Sequence, residues 1–439
     1  MGNEIIEDSG IELDLDAQRL RGWRLYTMAV CLLTSLYLVN LESTVITTSL
    51  FTITSDLQSF DQTSWIVTAY LVTYTGGALG HDNTWRWLFY LNLPPGAIVL
   101  LLVLVSMPPE FSKTHSGPIF SSARSWKHIL RRFDIPGIFL LLGGSLLLIT
   151  VLDETNSHFS WSSARAIVLI ILAAAFWIGF IVWEIIASNE NYQTKPVFPK
   201  HFYSNWPLIG IFLTSFIVGI PYNSMIVYLP QRFQVLLNDS ALMAGVRLLG
   251  YSGVTGFASI FAILFSTRLH VPFLPILIFS ALANIIGCAL LSTLPVSNEW
   301  PASGYGYEIL AGCGMGIAYA ISIFALPYML DPKDVQEASG VIVQMRYLGS
   351  SVGVSISSNI LNGRLKSTSH FLSTDAYDKL FHNVAYLSKL APEAQHQVQQ
   401  NLGQSYRIQF QVLIGFAIAQ LAISLLLIRK GPQIRPSGA

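Results

Sequence analysis

Charge is what this sequence has least of. Asp, Glu, Lys and Arg make up 11% of its 439 residues, against about 25% in a typical soluble protein. The 25 basic residues are balanced by 25 acidic ones, so the chain makes no basic field, which excludes nucleic acid as a partner. Cysteine is scarcer still. Cys31, Cys288 and Cys313 each fall in an apolar run, and no two have metal-ligand spacing, so they read as structural thiols. His81 and Asp82 have no third ligand near them in sequence. A Gly-Lys-Ser/Thr phosphate loop is missing, which argues against an ATP-driven pump. No Ser-His-Asp order suggests nucleophilic catalysis, so neither catalytic residues nor cofactor are expected. Residues 1–20 carry Glu4, Glu7, Glu12, Asp14 and Asp16, with no basic start and no apolar core of a cleavable leader. Insertion is therefore expected to use the first span itself.

What is abundant is apolar sequence, 52% of the chain. It comes in ten or eleven runs, most of them near the roughly 20 residues that cross a bilayer. Inside lipid a spanning segment must satisfy its own backbone hydrogen bonds, so the runs are helices. The fold class read from this is an all-α polytopic membrane protein. Residues 1–24 form a cytoplasmic tail and 25–107 an N-terminal group of spans. A basic loop, 108–134, carries Lys113, Arg124, Lys127, Arg131 and Arg132. A helix pair follows at 135–187, then six spans within 188–430 and a tail at 431–439. The six are rich in Gly, Ala and Ser, as close helix contacts in lipid require. Residues 362–407 read as one long polar loop.

Basic residues in short loops mark the cytoplasmic side. That rule puts 108–134, 188–205, Arg268, Lys333 and the C-terminal tail inside. The opposite side receives 153–164, 230–240, 295–303 and 362–407, including the sequon Asn238-Asp239-Ser240, a glycosylation candidate. Arg19, Arg21 and Arg24 also belong inside, so an even number of crossings separates them from residue 108. Three apolar runs lie between. Ile66–Leu79, at 14 residues, falls short of the roughly 20 needed and is the one expected not to cross fully.

The stretch Trp65–Gly96 is the most specific in the chain. Trp85-Arg86-Trp87 stands at the lip of an apolar run and reads first as an interface anchor; Asn92, Pro94 and Gly96 follow it. Together with Leu38-Val39-Asn40-Leu41-Glu42-Ser43-Thr44-Val45, Ser64-Trp65-Ile66-Val67-Thr68-Ala69-Tyr70-Leu71, Gly76-Gly77-Ala78-Leu79 and Tyr228-Leu229-Pro230-Gln231-Arg232-Phe233-Gln234, these residues resemble the major facilitator superfamily. Within it they are similar to the fungal fourteen-span drug:proton antiporters and toxin efflux pumps. The resemblance runs over nearly the whole chain from residue 20 and implies two helical bundles around a midplane cavity. One departure stands out. The family's Gly-Asp-Arg-type signature after the second span is missing, and second-span residues pass directly into fifth-span residues near Gly76-Gly77. The N-terminal bundle is thus expected to be incomplete by about three spans, in agreement with the crossing parity.

Polar residues inside spans are the candidate functional residues, because an ionisable group at membrane depth costs about 2.5–3.5 kcal/mol on insertion scales. Glu42 is the proton-coupling candidate, with a structural pairing as its alternative. Tyr222, Asn223 and Tyr228 follow Pro221 and are read either as lining a cavity beside a broken helix or as packing. Arg247, Gln344 and Arg346 are cavity or gate candidates; for Arg346 the alternative is snorkelling to the headgroups. Glu308, early in its span, reads as interfacial. Gly312, Gly314 and Gly316 read as a packing face. The resemblance implies efflux of a small amphipathic compound driven by the proton gradient, by a monomer in the plasma or vacuolar membrane, with the lipid bilayer, the substrate and protons as partners. A transport-incompetent remnant, a gene-model artefact and siderophore–proton symport are the alternatives.

Overall fold

The computed structural model describes residues 134–155, 160–188, 198, 200–297, 299–368 and 384–430, with single positions at 97, 101, 372, 373, 376, 379 and 380. All of them except Ala97 and Leu101 belong to one compact unit. Numbered from the first described, the helices are α1 (Ile135–Glu154), α2 (Ala164–Ala187), α3 (Lys200–Ser204), α4 (Trp206–Leu236), α5 (Ala241–Leu269), α6 (Phe273–Ser292), α7 (Ala302–Phe324), α8 (Pro332–Ser367) and α9 (Pro392–Lys430). Their starts follow local chemistry. Asp134 caps α1 by accepting from the Gly137 amide at 2.9 Å, with Pro136 in the first turn. Ser163, Asn205 and Ser240 do the same for α2, α4 and α5. Each cap occupies a backbone N–H that the helix itself leaves unpaired.

Seven of these helices, α1, α2, α4, α5, α6, α7 and α9, are long and apolar enough to cross a membrane. The exception among the long ones is α8, whose sequence is interrupted by Gln344, Arg346, Asn359, Asn362 and a run of serines. It can be polar because it is walled in: it packs against α4 along its length, and against α9 and α1. Exposure sorts the other spans. The spanning window of α4 is 78% buried and that of α2 only 17%, so α4 is the centre of the bundle and α2 its rim. Helices α1 and α2 pair with each other, and Asn359 of α8 donates to the Leu152 carbonyl at the end of α1 at 3.0 Å.

Glycine sets the closest seams. A Cβ on Gly349 of α8 would strike the Phe216 carbonyl of α4, and one on Gly219 of α4 would strike the Arg346 carbonyl of α8. On α7, Gly312 and Gly316 face the backbone of α5 while Gly314 faces that of α6. Two glycines four apart share a helix face and the one between them looks elsewhere, so α7 is pressed between two neighbours.

Three readings of the sequence need correction. The polar segment 362–407 is not one loop: α8 runs to Ser367 and α9 begins at Pro392. The early turns of α9 are polar overall, yet Val398, Leu402 and Tyr406 are buried against the bundle, which is what extends the helix beyond its apolar run. The helix holding Pro221 and Pro230 is not broken there; α4 is continuous through both. Glu308, read as interfacial from its place early in the span, is completely buried within the bundle.

Candidate functional site

Arg346 sits near the middle of α8, about 21 Å along the axis from Pro332 at 1.5 Å per residue. Its backbone carbonyl is held against Gly219 of α4, and Ser350 donates to the Gly219 carbonyl at 3.2 Å. The guanidinium reaches toward α7. There its central carbon lies 3.4 Å from the centre of the Tyr319 ring. A cation over an aromatic face at this separation is favourable, by about 2 kcal/mol where water is excluded. Tyr319 in turn faces Tyr222 of α4, with ring centres 5.2 Å apart, and Tyr222 lies 6.3 Å from Tyr251 of α5. Tyr347 completes the group, within electrostatic reach of Arg346 and Tyr319.

The chemistry of this cluster is one-sided. Arg346 is 7% exposed, and its Nε and Nη1 meet no hydrogen-bond acceptor among the described residues. An unpaired buried donor is expensive, more so on a charged group. A guanidinium presents its N–H groups as a rigid fork that suits carbonyl, carboxylate or phosphate oxygens. The arrangement is therefore a set of donors awaiting an acceptor, flanked by aromatic faces.

The structure does not bring all the sequence candidates together. Tyr222 and Arg346 share this cluster. Gln344 is half-buried on the same helix. Asn223 is buried. Tyr228 is buried too, and its hydroxyl donates to the Val354 carbonyl of α8 at 3.2 Å, which is a packing role. The guanidinium of Arg346 is covered by the Tyr319 ring. Arg247 lies elsewhere, at the end of the bundle where α4 meets α5. Its Nε donates to Asp239 at 2.6 Å and its Nη1 to the Tyr305 hydroxyl at 2.7 Å. Asn238, beside it, is exposed with a positive φ of 54°. Glu42, Trp85, Arg86, Trp87, Asn92, Pro94 and Gly96 lie outside the described residues. Tyr319 and Tyr251 were not legible from the sequence. Each is one aromatic residue in an apolar span, and only the tertiary packing sets them around Arg346. Among the described residues no group of three His, Cys, Asp or Glu side chains converges to hold a metal.

Comparison with known proteins fits this architecture. Residues 59–374, well over half of the chain, match the fungal trichothecene efflux pump family. The MFS-type transporter FPY5 of Fusarium mangiferae is 26% identical over 95% of this chain and 85% of its own length. The efflux pump ustT of Ustilaginoidea virens is 30% identical over 72% of this chain and 59% of its own, and the efflux pump hmp6 of Hypomyces subiculosus 29% identical over 66% and 49%. The chain thus spans about half the length of the latter two. A solved structure of a bacterial homologue of the human lysosomal transporter Spinster, inward-facing and occupied, superposes with a TM-score of 0.53 at 14% identity. It covers 96% of this chain and all of that one, and this likeness concerns the fold alone. The alignment with FPY5 runs over 511 positions but takes in only 95% of 439 residues, which leaves about 94 positions with no residue of this chain opposite them. A family match over this extent, on an all-helical bundle of membrane-spanning length, places the chain in the fungal trichothecene efflux pump family of major facilitator transporters, and makes it a membrane transporter rather than an enzyme.

Proposed function

We propose that the chain exports a small amphipathic compound from the cell in exchange for protons, and that Arg346 with Tyr222 and Tyr319 forms the part of the substrate site supplied by the C-terminal bundle. The observation that carries this reading is the buried guanidinium of Arg346, stacked on Tyr319 with two donor atoms unpaired. Such a site suits a compact apolar ring system bearing acceptor oxygens, and the trichothecenes in the family's name have that chemistry. Glu42 is the proposed proton carrier of the N-terminal part. The protein works as a monomer in the plasma membrane, with Asn238 on its outer side.

The test is uptake of a radiolabelled trichothecene into inverted proteoliposomes energised by a proton gradient. Transport that needs the gradient and is lost in Arg346→Ala supports the reading. Transport that survives Glu42→Gln removes Glu42 from the mechanism.

A second reading, that this chain does not transport, draws on the roughly 94 unmatched positions. About three spans of some 20–25 residues with their loops would fill them, and rocking of two bundles about a central site needs both to be whole. A folded, purified chain that moves no compound under any gradient favours it.

A further inference from the structure

A second buried charge lies at the opposite end of chemistry from Arg346. Glu308, in the second turn of α7, is fully buried, and neither of its carboxyl oxygens meets a hydrogen-bond donor among the described residues. It is not placed loosely. Gly250 of α5 lies against it so closely that a Cβ there would come within 2.6 Å of Oε2. Two guanidinium groups act on it electrostatically, Arg247 of α5 and Arg232 of α4, yet both are engaged elsewhere. Arg247 is shared between Asp239 and Tyr305. Arg232, 3% exposed, donates to the Pro295 carbonyl at 3.2 Å and lies over the rings of Trp300 and Phe410 at 5.5 and 6.0 Å. Tyr406 of α9 is a further neighbour of Arg232, and α6 contributes no charged side chain to the group.

The charges of this cluster are two arginines, Asp239 and Glu308. An ionised Glu308 balances them, whereas a protonated one leaves one positive charge in excess. A buried carboxylate without donors is costly, and two cations nearby offset part of that cost. Neither state is locked by a dedicated hydrogen bond. Ionisable groups within membrane-spanning segments mark ion pathways and proton relays in membrane transporters.

We infer that Glu308 is a proton-binding site of the C-terminal bundle, taking up and releasing a proton against the fixed charges of Arg232, Arg247 and Asp239 that join α4, α5 and α7 at one end. The site is separate from the Arg346 cluster, and it holds whether or not the chain transports.

The test is infrared difference spectroscopy on the purified full chain in lipid nanodiscs, stepped between alkaline and acidic buffer. A protonated-carboxyl band is expected to appear in the wild type on acidification and to be lost from the spectrum of Glu308→Gln. A spectrum that Glu308→Gln leaves unchanged overturns the assignment, as does a wild type with no such band. Should Glu308→Gln not fold, Glu308→Asp keeps the acid and must shift the band; an unshifted band is equally decisive against it. No transported compound enters this measurement, so its outcome does not depend on the export reading.

Discussion

Arg247 and Arg346 belong to the same bundle, and their surroundings differ in kind. Arg247 is spent: a carboxylate at 2.6 Å and a tyrosine hydroxyl at 2.7 Å take up its donors, and it ties the end of α4 to α5 and α7. Arg346 is more deeply buried, covered by an aromatic ring and left with two donor atoms that meet no acceptor among the described residues. A buried cation with its partners in place is architecture. In the proposed export reading the other meets its acceptor in the substrate, and the tight α4–α8 seam holds the residue there.

Six substitutions at five positions would break or sharpen this contrast. The largest effect is expected from Gly349→Val, which drives a side chain into the Phe216 carbonyl. Backbone cannot yield there as a flexible side chain would, so the loss should reach or exceed the upper end of the roughly 1–3 kcal/mol typical of overpacking. The thermal unfolding midpoint and the yield of monodisperse protein in detergent both report it.

Next is Arg346→Ala. Hydrogen bonds to a charged group contribute about 1.5–3 kcal/mol, so trichothecene binding, followed by scintillation proximity, should weaken by about tenfold or more, with little change in the unfolding midpoint. A large fall in stability with unchanged affinity would make Arg346 structural and erase the contrast. Arg247→Ala should do the reverse, lowering stability by about 2 kcal/mol through loss of its charged hydrogen bonds and leaving affinity in place. A double-mutant cycle with Asp239→Ala isolates the pair, and a coupling near zero would show that it holds nothing together. The smallest effect belongs to Tyr319→Phe. Stacking under a guanidinium needs the ring and not the hydroxyl, so binding should hold within about twofold, whereas Tyr319→Leu should weaken it.

Much of the fold was legible because lipid imposes one rule on every span. Runs such as Phe273–Ser292 and Ala164–Ala187 declare themselves by length and composition, and the glycines of α7 by their spacing. Hydropathy failed where tertiary packing decides. The start of α9 reads as loop until Val398, Leu402 and Tyr406 are seen against the bundle. Glu308 reads as interfacial because it lies near a helix start, but α4, α5 and the Trp300 segment cover that end. Of the candidate site, Arg346 and Tyr222 stand out as polar groups in apolar sequence. Their neighbours Tyr319 and Tyr251 do not, since nothing local links residues on four different helices.

The polar character of α8 has a consequence for how the protein is made. A segment carrying Gln344, Arg346 and a file of serines gains little by partitioning alone into hydrocarbon from a translocation channel. Helix α4, against which it closes most tightly, is synthesised more than a hundred residues earlier. The nascent α8 must therefore find a prepared surface, and its entry into the bilayer becomes an act of docking onto a waiting helix. Weakening the α4 surface, by a bulky residue at Gly219 for instance, should strand α8 outside the membrane during synthesis, where protease protection of the nascent chain would reveal it.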